Sequence, residues 1–204
     1  MRIPENFEPR FNSLREQGVL QVIRPESLPK HIMRTVGDLS TVNLMVLSCC
    51  DGHQFMHVTQ HTKFCCEEAK RQLGLECVAD DCFHWRTENG GPFVLTVPQL
   101  ELDYYRSNPI NLKHCALRTI ERGMSLKKHI NVVLLIGHCV CGMVKDIFRS
   151  PEEYSDHMAR AKEVIMREMD LPGNQVIAWL QGHRSGGREM YHTDYTTVCQ
   201  LRAA

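Results

Sequence analysis

Two short stretches carry residues able to do metal chemistry. His138 and Cys141 stand three apart, framed by Gly137 and Gly142, at the end of the apolar run Val132-Val133-Leu134-Leu135-Ile136. Cys49 and Asp51 stand two apart, with His53 two further on, at the end of a second apolar run, Leu44-Met45-Val46-Leu47. Thiolate and imidazole are ligands that zinc prefers, and three protein ligands leave the fourth tetrahedral position open, as catalytic zinc requires. Cys49, His138 and Cys141 supply such a set, with Asp51 as the nearby carboxylate. A metal there lowers the pKa of bound water toward about 7, which makes a nucleophile for a small electrophile at neutral pH.

Such a site needs two strands whose carboxyl ends meet. Five consecutive aliphatic residues closed by Gly137 fit a central strand buried on both faces, and open α/β sheets keep their ligands just beyond the carboxyl ends of their strands. The other strand is expected at 42–48. Leu112, Cys115, Ala116, Thr119, Ile120, Gly123 and Met124 recur at helical spacing directly before the 132 strand, which implies a parallel crossover. Ser150-Pro151-Glu152-Glu153 is a capping box with proline at the first helical position, and Tyr154, Met158, Ala161 and Ile165 extend it as an apolar stripe. Leu171-Pro172-Gly173 stops that helix. Val176 to Leu180 reads as a further strand, turning at Ser185-Gly186-Gly187 into an extended segment through Tyr191 to Val198. Between the two motifs the sequence predicts a helix over 62–73 with Gly74 as its C-cap, and extended pieces at 76–79 and 93–97 around a turn at Glu88-Asn89-Gly90-Gly91.

The expected fold class is therefore α/β, a single domain with a mostly parallel central sheet flanked by helices. It occupies 41–204, preceded by an N-terminal arm over 1–40 that Pro4, Pro9, Pro25 and Pro29 interrupt.

Cys49-x-Asp51 and Gly137-His138-x-x-Cys141-Gly142 together resemble the metal motifs of β-class carbonic anhydrases, C-x-D-x-R on one strand and G-H-x-x-C-G on a later one. The second motif matches in full. In the first, His53 stands where that family has arginine, and Gly52 where it usually has serine. The resemblance implies one Zn2+ held by Cys49, His138 and Cys141, reversible hydration of CO2 to bicarbonate by zinc-bound hydroxide, and a homodimer or larger even assembly joined through the N-terminal arm. It also implies that Asp51 accepts a hydrogen bond from the zinc-bound water. Arginine would hold that carboxylate off the metal, and histidine, shorter and largely neutral near pH 7, restrains it less. Asp51 is thus expected to join the metal as a fourth ligand for part of the population. Two other functions share these residues: a divergent zinc enzyme acting on another small carbonyl or thiocarbonyl compound, and a zinc-stabilised assembly protein without catalysis.

Charge narrows the partners. Lys plus Arg number 24 and Asp plus Glu 24 in 204 residues, so there is no basic excess to attract nucleic acid or an anionic membrane. No apolar run approaches the roughly 20 residues of a membrane span, and Met1-Arg2-Ile3-Pro4-Glu5-Asn6 lacks the apolar core of a signal peptide. A soluble, cytoplasmic protein is expected, in which the ten cysteines are free or metal-bound rather than paired. Cys50, Cys65, Cys66, Cys77, Cys82, Cys115, Cys139 and Cys199 read mostly as packing thiols. His57, His61 and Cys65 have helical spacing for a second metal, although no tight zinc-type pair occurs among them.

Overall fold

Aliphatic runs without a polar face must be covered on both sides. In the computed structural model, which describes residues 3–23, 28–37, 39, 42–49, 83–87, 90–97 and 111–193, they form the middle of a six-stranded sheet ordered β1-β6-β5-β4-β2-β3. The strands are β1 (Leu20–Ile23), β2 (Leu44–Cys49), β3 (Phe83–Thr87), β4 (Val132–Cys139), β5 (Val176–Arg184) and β6 (Gly187–Thr193). β3, β2, β4 and β5 are mutually parallel, β6 runs against β5, and β1 runs against β6. Every residue of β2 and β4 is buried, as expected of strands covered on both faces. β4 is longer than its apolar run suggests, because His138 and Cys139 still pair with β5.

Helices supply the cover. On one face α1 (Glu8–Glu16), α3 (Leu112–Leu126) and α4 (Pro151–Met169) bury Phe11, Leu14, Ala116, Ile120, Tyr154, Met158, Ala161 and Ile165 in the larger core cluster. On the other, Ile32 and Val36 of α2 (Leu28–Val36) join Leu44, Val46, Leu134, Ile136 and Trp179. The α4 start is capped as its residues predict: Ser150 Oγ accepts from the Glu153 amide at 3.4 Å, while the Glu153 carboxylate reaches back to the amide of Arg149, one residue before the cap. The Asn111 side chain caps α3 by accepting from the His114 amide at 2.7 Å. Cys115 is exposed, not packed; the buried stripe of α3 runs through Ala116, Ile120 and Gly123, one position further on.

The 93–97 stretch is not extended. Gly90 and Gly91 take positive φ, Pro92 follows at the start of a turn for which its fixed φ is suited, and Gly91–Leu95 form a wholly buried 3-10 helix. Part of the N-terminal segment adds to the same sheet. Phe11 of α1 stacks on Tyr191 of β6 at 5.4 Å, and β1 pairs with β6. Arg184 ties α1 to the β5–β6 hairpin: it pairs with Glu8 at 2.8 Å and Glu189 at 3.1 Å and donates to Asn12 at 2.7 Å. Burial alone would raise the Glu8 carboxyl, but the Ser185 amide and the Arg184 guanidinium hold it below its ordinary value. The expected helix at 62–73, the extended piece at 76–79, residues beyond 193 and the His57, His61, Cys65 group lie outside the described residues. No helix among the described residues is long and apolar enough to cross a membrane.

Candidate metal centre

Strand order locates the centre. From β2 the chain moves to β3 on one side, and from β4 to β5 on the other. The carboxyl ends of β2 and β4 therefore flank the point where the winding reverses, the crevice where open α/β sheets bind ligands. Cys49 is the last residue of β2, His138 the last but one of β4, and Cys141 sits in the turn that follows. The sequence expectation that these three converge is met: their ligand atoms all lie within 4.8 Å of one another, and all three residues are buried.

The spacing suits one ion. Two thiolates bound tetrahedrally at about 2.3 Å stand about 3.8 Å apart; the Cys49 and Cys141 sulfurs are 4.0 Å apart. His138 brings two buried ring nitrogens with no hydrogen-bond partner among the described residues, an expensive arrangement for groups that serve only packing. The Met143 and Val144 backbone amides just beyond Cys141 favour its thiolate, and the Val144 amide donates to the Cys141 carbonyl at 3.1 Å. Without a cation the Cys141 thiol is pushed far up by its hydrogen bond with Cys49, by burial and by the charge Cys49 would carry. These residues fit a divalent metal and could hold one.

Two glycines open the space. A Cβ on Gly91 would lie 2.6 Å from the Cys49 backbone nitrogen, so the Gly90-Gly91 turn is pressed against the end of β2. A Cβ on Gly137 would meet Met158 Sδ and, at 2.9 Å, Phe93 Cζ; only glycine lets these side chains pack on β4 beside His138. Beyond them Phe93, Phe148 and Tyr154 meet edge to face, with ring centroids 4.8–5.6 Å apart. The Tyr154 phenol is pushed up by burial and by the negative charge that Cys139 and Cys141 would carry as thiolates, so it stays protonated. Cys139 faces the larger core cluster, burial pushes its thiol up, and it packs as alternation from His138 requires.

Asp51 and His53 lie outside the described residues. The sequence reading had no signal for Gly91 as a neighbour of Cys49, since the approach joins residues 42 apart in the chain. Gln181 was missed too: it is buried on β5 directly opposite His138, and its type alone marks no metal chemistry. Compared with protein-family models, with curated proteins and with solved structures, the chain matches none.

Proposed function

We propose that this chain is a zinc-dependent lyase of the β-carbonic anhydrase type, hydrating CO2 reversibly to bicarbonate. The observation that carries the reading is the meeting of Cys49, His138 and Cys141 at the reversal point of a largely parallel sheet, in the spacing of the two motifs. Zinc held there would supply the chemistry by lowering the pKa of a coordinated water toward about 7. The chain's own residues do the rest. Two sulfurs, of Cys49 and Cys141, and one nitrogen of His138 would hold the ion, a set of three that would leave room for a small substrate. By the resemblance to that family, Asp51, two residues beyond Cys49, would be the carboxylate that accepts a hydrogen bond from the bound substrate.

The departure at His53 sets the expected level of activity. With no arginine to hold it, the Asp51 carboxylate would compete with substrate for the metal, and hydration at neutral pH should be slow. Stopped-flow CO2 hydration by the zinc-loaded chain tests the proposal. A zinc-dependent rate above buffer that disappears in Cys141→Ala supports it, and His53→Arg should raise that rate. Zinc-loaded protein of both forms no faster than buffer would contradict it.

A further inference from the structure

A metal takes one ring nitrogen of a histidine and leaves the other with its proton. Buried ligand histidines give that proton to an acceptor, which fixes the tautomer and the ring plane. His138 is 3 % exposed, and neither ring nitrogen has a partner among the described residues, so the acceptor must come from what surrounds it. On β5 the residue in register with His138 is Gln181, 2 % exposed, whose side-chain carbonyl oxygen is also buried without a partner among the described residues.

Alternation puts the two side chains on one face. Ile136, two residues before His138, and Trp179, two before Gln181, both belong to the core cluster under α2. Neighbouring strands run about 4.8 Å apart, which a glutamine side chain spans. Among the described residues two other buried groups on that face compete poorly: the Trp179 indole is only a donor, and Ser48 registers with Ile136, two residues back along the strand.

We propose that Gln181 is a positioning residue for the metal, its side-chain carbonyl oxygen accepting the ring N–H of His138 that the metal does not use. The amide supplies an acceptor without adding a further buried negative charge to two thiolates. The inference rests on the metal centre proposed above.

Zinc affinity by chelator competition, with the visible spectrum of the Co2+-loaded chain as a second readout, tests it on the wild type, Gln181→Met, Gln181→Glu and Ser48→Ala. Gln181→Met keeps the length and loses the acceptor: zinc should bind about tenfold to hundredfold more weakly, with shifted cobalt bands. Gln181→Glu keeps an acceptor and should hold zinc more tightly than Gln181→Met does, and Ser48→Ala should match the wild type. Gln181→Met with wild-type affinity and spectrum overturns the inference, as does Ser48→Ala with the loss expected of Gln181→Met. A wild type that takes up no zinc instead overturns the centre, and the inference with it. If Gln181→Met does not fold, nuclear magnetic resonance on the zinc-loaded wild type decides. A nuclear Overhauser contact from the His138 ring N–H to the Gln181 side chain supports the assignment; such a contact to other side chains and none to Gln181 overturns it.

Discussion

A single methyl group can part the two halves of the centre. Gly91 has φ +64°, and a Cβ there would sit 2.6 Å from the Cys49 nitrogen and 2.9 Å from the Ser48 carbonyl carbon. Both obstacles are backbone in a fully buried strand, so neither can turn aside, and the left-handed φ strains any L side chain. Gly91→Ala should therefore push Cys49 away from His138 and Cys141, lowering stability by about 2–4 kcal/mol and leaving the purified chain depleted of zinc. Gly137→Ala meets the end of the Met158 side chain and the edge of the Phe93 ring, which can give way in part. It should destabilise by about 1–3 kcal/mol and keep zinc. Urea unfolding and metal content measured together check the pair, and a Gly91→Ala chain with full zinc and wild-type stability would refute the close approach.

Among the elements, α2 adds a titration that shapes stability. His31 is half-buried, its ring 4.6 Å from His192 and 6.2 Å from Trp179, and its pKa falls to about 4 from 6.5 through burial, then through His192 and Arg34. Between those values the unfolded chain binds a proton that the folded chain refuses, so stability falls as pH drops from 6.5 to 4 and this contribution levels off below. The slope from one group cannot exceed about 1.4 kcal/mol per pH unit, and solvent reaching the ring keeps it lower. His31→Phe should flatten the urea midpoint in that window relative to the wild type; equal slopes would contradict the assignment. The same scale shows what could be read from sequence. β2, β4, α3 and α4 announce themselves through uninterrupted apolar runs, a helical stripe and a capping box, all local signals. The pairing of β1 with β6 joins residues about 170 apart in the chain, and the 3-10 helix at Gly91–Leu95 depends on Gly90-Gly91 finding room against β2. Neither has a local pattern. The three candidate ligands were legible because they stand at the ends of two apolar runs, Cys49 after one and His138 with Cys141 after the other, whereas Gly91 and Gln181 matter only through neighbours that folding brings.

For the whole molecule, the resemblance to β-class carbonic anhydrases and the proline-interrupted N-terminal segment lead to an expected homodimer or larger even assembly. Residues 3–23 already contribute Phe11, Leu14 and Leu20 to the core, so any exchange between chains has to preserve or replace those contacts. Sedimentation at micromolar concentration should give an even number of chains; a monomer would remove the exchanged arm. The central claim, that two strand ends bring two thiolates and one imidazole to a single ion, is open to direct measurement. X-ray absorption at the zinc edge, on protein purified without added metal, should show about one zinc per chain with two sulfurs and two lighter donors around it. Cys49→Ala and Cys141→Ala should each lose the metal. Full zinc occupancy in both variants, or a wild-type shell without sulfur, would contradict the account.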